Sequence, residues 1–127
     1  MENKKKKISL KKKDEAKNYP EMDDPEFFKI HAEFCSILSN EKRLRIMWIL
    51  QNGERSVSEI AEYLDIPVTN VSQHLKVLKN QGAVAERKEG KQVYYRITNK
   101  KFIEGCRLIR QGIIENFMER SEVIIKK

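Results

Sequence analysis

VTNVSQHLKVLKNQ, at residues 68–81, has the apolar period of an amphipathic helix, and Gly82 marks its end. At 100° per residue, Val71, Leu75 and Leu78 fall on one side of this helix. The opposite side and its flanks are polar and carry no acid: Thr69, Ser72, Gln73, Lys76 and Lys79. Hydroxyl and amide groups can pair with base edges in a DNA major groove, and lysine ammonium groups suit phosphates. The segment therefore predicts a DNA recognition helix.

A short helix and a tight turn precede this segment. Ser56-Val57-Ser58-Glu59 has the spacing of a capping box, in which serine and glutamate each bond to the other's backbone N–H. The helix that it opens places Ile60, Ala61 and Leu64 on one side, and Asp65-Ile66-Pro67 predicts the turn. Two helices joined in this way predict a helix-turn-helix.

A β-hairpin is predicted after the recognition helix. Its strands span 83–88 and 92–97, around the turn Glu89-Gly90-Lys91. Val93, Tyr95 and Ile97 share one face of the second strand, while Tyr94 and Arg96 share the other. The segment Arg87-Lys88-Glu89-Gly90-Lys91-Gln92 predicts a basic wing that reaches a minor groove or the DNA backbone.

Two helices are predicted before this unit. The first begins at Asp24-Pro25-Glu26 and runs to about Ser39. Its apolar stripe consists of Phe27, His31, Phe34, Cys35 and Leu38. The second spans 41–52, between the N-cap Asn40 and Gly53, and is apolar nearly all round, which predicts a position in the centre of the fold.

A last long helix is predicted to begin near Asn99. Its apolar stripe consists of Phe102, Cys106, Ile109, Ile113 and Phe117. The stripes of the first and last helices exceed what a chain of 127 residues buries alone, which predicts an isologous dimer.

The order of these elements predicts a mainly α fold with a small β-hairpin, a winged helix-turn-helix of order α-α-α-α-β-β-α. One DNA-binding and dimerisation domain is expected over 23–127, after a lysine-rich arm at 1–22. The first twenty residues hold eight lysines against three acids, a composition typical of a flexible, solubilising segment.

Charge and composition narrow the class of protein further. The net charge is +7, and residues 66–101 hold eight cations against two acids, so a polyanion would be drawn to the predicted helix and wing. No apolar run is long enough to span a bilayer, and the lysine-rich N-terminus is unlike a secretory signal, so we expect a cytoplasmic protein. The two cysteines, 71 positions apart, fit neither a zinc finger nor a disulfide framework.

The expected DNA contacts lie on the recognition helix and the wing. They are Thr69, Asn70, Ser72, Gln73, His74, Lys76, Lys79, Arg87, Lys88, Lys91 and Gln92. His74 lies at the margin between the buried and outer faces, which indicates a supporting role.

Three segments resemble the ArsR family of bacterial and archaeal repressors. Residues 38–46 are similar to the family's second helix. Residues 71–78, followed by Gly82-Ala83-Val84, are similar to its recognition helix and to the segment that leads into the wing. Residues 90–97 are similar to its wing. The similarity extends over about residues 30–120. It implies a homodimer built on the first and last helices, repression from an inverted-repeat operator, and release by an effector.

The chain departs from the family at its usual metal sites. It has no cysteine in the helix opened by Ser56, and no histidine after His74, so no metal is expected at those positions and no other cofactor is predicted. The remaining sensor candidates are Cys35, Cys106 and His31. Three interpretations stay open for the cysteines: inert packing, a thiol-redox or persulfide switch, and a soft-metal site.

Rival functions have less support in the sequence. An enzyme is not expected, because the chain has two histidines, no glycine-rich phosphate loop and no acid pair with metal spacing. A protein–protein module would need apolar anchors on the outer face of 68–81, where only Val77 leans outward. A DNA-binding protein without an effector remains a third alternative.

Overall fold

The computed structural model describes residues 21–120, so nearly all of the predicted arm lies outside the described residues. The described elements are α1 (Pro25–Ser36), α2 (Glu41–Ile49), a 3-10 turn (Leu50–Asn52), β1 (Arg55–Ser56), α3 (Val57–Leu64), α4 (Val68–Asn80), β2 (Val84–Glu89), β3 (Gln92–Ile97) and α5 (Lys100–Arg120). The chain divides into two compact units between Ser39 and Asn40. Helix α1 belongs to the first unit, and all later elements belong to the second.

Helix α1 begins where the sequence predicts. The Asp24 side chain accepts a hydrogen bond from the Glu26 backbone N–H at 2.9 Å, and Pro25 opens the helix. The helix ends at Ser36, three residues before the predicted end, because the backbone N–H groups of residues 37–39 bond to carbonyls three positions back. None of its residues is buried, and Cys35 and His31 are both exposed.

Helix α2 supplies one side of the core of the second unit. Asn40 caps it by accepting from the backbone N–H groups of Lys42 at 2.9 Å and Arg43 at 3.1 Å. Ile46 and Met47 are fully buried, but Leu44 is 42% and Trp48 39% exposed, so the side of this central helix that carries these two residues is not covered.

Two arginines of α5 cover the Trp48 ring. The guanidinium carbons of Arg107 and Arg110 lie 5.8 Å and 5.5 Å from the ring centroid, within the range of a cation–π contact. Arg107 also donates to the Gln51 side chain at 3.0 Å. These contacts join α5 to α2, although the tryptophan ring remains partly accessible to solvent.

The helix-turn-helix is α3 and α4, as predicted. Both bonds of the capping box are present: Ser56 N–H donates to Glu59 at 2.9 Å, and Glu59 N–H donates to Ser56 Oγ at 3.1 Å. Asp65 ends α3 in the left-handed region, with φ +60°. The buried faces of the two helices are also those predicted, namely Ile60, Ala61 and Leu64 on α3, and Val71, Leu75 and Leu78 on α4.

Strands β2 and β3 form the predicted hairpin, and β1 adds a third strand that the sequence analysis missed. Glu89 lies opposite Gln92, so the loop is only Gly90 and Lys91, and Gly90 has φ +62°. Strand β1 pairs antiparallel with β3, giving the order β1-β3-β2. Because α3 begins directly after β1, this pairing anchors the wing to the first helix of the helix-turn-helix.

Helix α5 begins at Lys100, after Asn99 accepts from the Lys101 backbone N–H at 2.9 Å. Ile103 is its only buried residue within the described part of the chain. Six of its large apolar side chains are between 43% and 66% exposed: Leu108, Ile109, Ile113, Ile114, Phe117 and Met118. Over residues 21–120, no helix is both long and apolar enough to cross a membrane.

Candidate nucleic-acid interface

The outer face of α4 is a continuous polar surface. Its exposed residues are Thr69, Asn70, Ser72, Gln73 and Lys76. No acid lies in the first turn, and the N-cap position is Pro67, which provides no side-chain cap. The first N–H groups and the positive end of the helix dipole are therefore available to an anion.

The apolar residues of α4 differ in one respect from the prediction. Val77, predicted to lean outward, is half-buried. Val68, the first residue of the helix, is instead 48% exposed. The position of Val68 on the helical wheel is near the buried side, and its exposure results from its place at the end of the helix.

His74 contacts α2 rather than pointing straight outward. Its Nδ1 lies 3.2 Å from an Arg43 guanidinium nitrogen, and its side chain is half-buried. Burial, together with the positive charges of Arg43 and Lys42, lowers the pKa of His74. The neutral form of the ring is therefore favoured, and its Nδ1 can accept a hydrogen bond from Arg43, which places α4 in contact with α2.

Lys79 forms an ion pair with the wing. Its Nζ lies 3.4 Å from Glu86, whose carboxylate also accepts a hydrogen bond from the Tyr95 hydroxyl at 2.8 Å. The Tyr95 bond lowers the pKa of Glu86, and burial raises the pKa of Tyr95 to about 12. Because ion pairs near the surface contribute little free energy, Lys79 can leave Glu86 for another anion at low cost.

Arg87 lies within β2 and not at the tip of the wing. Its guanidinium donates to Glu54 at 3.0 Å and 2.9 Å, contacts Glu89, and stacks over the Tyr94 ring at 4.7 Å. The paired carboxylates raise the pKa of Arg87, while the Arg87 hydrogen bond lowers that of Glu54. Glu54 is 33 positions away in the chain, so the sequence gives no sign of this pairing and Arg87 looks available to DNA.

The remaining wing residues, Lys88, Lys91 and Gln92, are exposed at or beside the two-residue loop. Lys88 and Lys91 form none of the ion pairs seen among residues 21–120. These two lysines leave positive charge at the tip of the hairpin, and the exposed Arg96 in β3 adds a cation further from the tip.

The sensor candidates belong to different units of the chain. His31 and Cys35 are exposed on α1, and Cys106 is half-buried on α5. No group of three or more His, Cys, Asp or Glu residues within the described chain is arranged to hold a metal ion.

Comparison with known proteins identifies relatives over most of the chain. A family profile described as "Bacterial regulatory protein, arsR family" matches residues 40–86. A cadmium resistance transcriptional regulatory protein, a CadC homolog from Staphylococcus aureus, is 33% identical over 118 residues, which are 92% of this chain and 85% of that protein.

Solved structures show the same fold. The homodimeric winged helix-turn-helix DNA-binding domain Mb0332 from Mycobacterium bovis has a TM-score of 0.68 and 29% identity, covering 78% of this chain and 92% of that one. The transcriptional repressor BigR from Xylella fastidiosa has a TM-score of 0.60 and 30% identity, covering 67% of this chain and 87% of that one.

Proposed function

Because this chain belongs to the ArsR family of winged helix-turn-helix transcriptional regulators, we propose that it represses transcription as a homodimer on an inverted-repeat DNA operator. Its relatives are DNA-binding regulators and not enzymes. The proposal depends most on one observation, the exposed and acid-free outer face of α4. A regulator of this kind works where the chromosome is, in the cytoplasm.

The reading surface combines α4 and the wing. Thr69, Ser72 and Gln73 present hydroxyl and amide groups for base edges, and Lys76 lies beside them for a phosphate. Lys88 and Lys91 at the wing tip supply further phosphate contacts. In a homodimer these surfaces occur twice, so they would read two half-sites related by a twofold axis.

The homodimer is supported by α5. Its exposed Ile109, Ile113 and Phe117 lie on one stripe at spacings of four residues, which is typical of a helix that packs against a partner. The relative Mb0332 is homodimeric, and its fold matches most of this chain. An isologous contact between copies of α5 would bury these side chains.

We propose that a thiol-directed effector, an oxidant or a soft metal ion, releases this protein from its operator. Cys35 is exposed on α1, and Cys106 lies on α5, the helix proposed for dimer contact. Soft metals favour thiolates, and the CadC homolog carries cadmium resistance in its name. Modification of a cysteine on either helix would change the distance between the two recognition helices of the dimer. The dimer would then no longer fit two half-sites at a fixed distance.

DNA binding is tested by measuring the affinity of the protein for its own promoter and for random duplex, across a range of salt concentrations. Gln73→Ala should lose about 1–3 kcal/mol of discrimination between the two, because one base contact disappears. Lys76→Ala should weaken binding to both duplexes alike, because a phosphate contact has no sequence preference. An unchanged affinity ratio in Gln73→Ala would show that the assigned reading face is wrong.

The effector is tested on operator complexes of the wild type and of the double variant Cys35→Ser/Cys106→Ser. Each is measured before and after addition of peroxide, polysulfide, Cd(II), As(III) or Zn(II). We expect only the wild type to release DNA, and non-reducing mass spectrometry then separates a disulfide or persulfide from a metal chelate. Retention of DNA by the wild type under every treatment would show that neither cysteine acts as a sensor.

A further inference from the structure

Val68 is an exposed apolar side chain at the leading end of the recognition helix. It is 48% exposed and is the first residue of α4. Val71, Leu75 and Leu78 form the buried face of α4, and Val68, which borders Ala61 and Ile66 in a shallow cleft, is not part of that face. An isopropyl group at this place therefore remains in water until a partner covers it.

Its neighbours place Val68 at the edge of the proposed reading surface. Thr69 follows it directly, and Ser72 lies one helical turn further along the same side. In helix-turn-helix proteins, the N-terminal residues of the recognition helix are those that contact base edges. This step rests on the proposed function. With α4 in the major groove, the position of Val68 brings its side chain to a base edge.

The chemistry of the side chain selects the base. Valine has no donor or acceptor, so a cytosine or adenine amino group or a guanine oxygen set against it would lose its hydration without a partner. Thymine alone among the four bases presents a methyl group in the major groove. We infer that Val68 reads the 5-methyl group of one thymine in each operator half-site.

The test replaces each thymine of the operator by deoxyuridine, which removes only the methyl group and keeps the base pair. The operator is first selected from random duplexes with the full-length protein. We expect one thymine per half-site at which the wild type loses affinity by about fourfold, the factor that corresponds to about 0.8 kcal/mol for one buried methyl-sized group. Val68→Ala should bind the thymine and deoxyuridine operators equally.

Two matched variants locate the contact. Thr69→Ser removes a methyl group from the adjacent side chain, and Val57→Ala makes the same truncation at the first residue of α3. Val57→Ala should keep the full difference between thymine and deoxyuridine. Loss of that difference in Thr69→Ser but not in Val68→Ala would assign the methyl contact to Thr69 and overturn the inference.

Two further outcomes separate this inference from the proposed function. Sequence-selective binding with no thymine sensitive to deoxyuridine would overturn the role of Val68 and leave the regulator intact. Failure of the wild type to select any DNA sequence would overturn both. Because Val68 is exposed and alanine favours helix, circular dichroism should show an unchanged fold in Val68→Ala.

Discussion

Arg87 is a cation that the sequence places in the basic wing and that the structure pairs with two carboxylates. Its guanidinium is held by Glu54 on one side and Glu89 on the other, over the Tyr94 ring. The two bonds to Glu54 form a planar, bidentate pair, which is stronger than a single contact between charged groups. The Arg87 guanidinium is therefore engaged within the protein by Glu54.

Replacing Glu54 by glutamine should release Arg87 to a DNA phosphate. We expect Glu54→Gln to bind random duplex more tightly, with a slope of log K against log salt steeper by about 0.9 for each additional phosphate that the protein neutralises. The measurement is fluorescence anisotropy at several KCl concentrations. Glu54→Gln/Arg87→Gln is the control, since it lacks the same acid but has no guanidinium. Equal slopes in the two variants would mean that Arg87 does not reach DNA.

At the level of elements, the start of α3 holds two parts of the fold together. Ser56 is the last residue of β1, where it lies opposite Tyr94 of β3, and it is also the N-cap of α3. Its side chain is buried, and its Oγ accepts from the Glu59 backbone N–H. Loss of this hydroxyl would leave a helix N–H without its cap in a buried position.

Ser56→Ala should therefore lower the free energy of unfolding by about 1 kcal/mol, the usual effect of removing a serine N-cap. Ser58→Ala, in the same helix at an exposed position, should change it by no more than about 0.5 kcal/mol. Both are measured by urea denaturation at one fixed protein concentration, because dimerisation contributes to apparent stability. Equal losses in the two variants would show that the capping box does not stabilise α3.

At the scale of the whole molecule, the second unit exposes an apolar stripe on α5. The side chains of Ile109, Ile113 and Phe117 on α5 are between 49% and 66% exposed. Exposed apolar stripes of this kind mark association surfaces. The proposed dimer and the proposed reading of two half-sites thus depend on the same helix.

Ile113→Asp should dissociate the dimer, because a carboxylate would be buried at an interface without a partner. Sedimentation at micromolar concentration should give a monomer, and operator affinity should fall because only one half-site is then bound at a time. Gln111→Asp adds the same charge on a different side of α5 and should remain dimeric. A monomeric wild type would contradict the proposed assembly directly.

Local sequence signals predicted most of the fold and the polar outer face of α4. The caps at Asp24, Asn40 and Ser56 depend on residues within four positions of each other. The division of α4 into a buried and an outer face depends on the helical period alone. Backbone hydrogen bonding and helical geometry act over this range, so the pattern of residue types is sufficient.

Only the tertiary structure decided which charged and aromatic side chains are engaged by other side chains. Arg87 pairs with Glu54 across 33 positions, Arg43 meets His74 across 31, and Arg107 reaches Gln51 across 56. Strand β1 has only two residues, too few for a periodic signal, and exists because β3 lies beside it. Side chains that are distant in the chain meet only when helices and strands have packed, so their residue types do not reveal these contacts in advance.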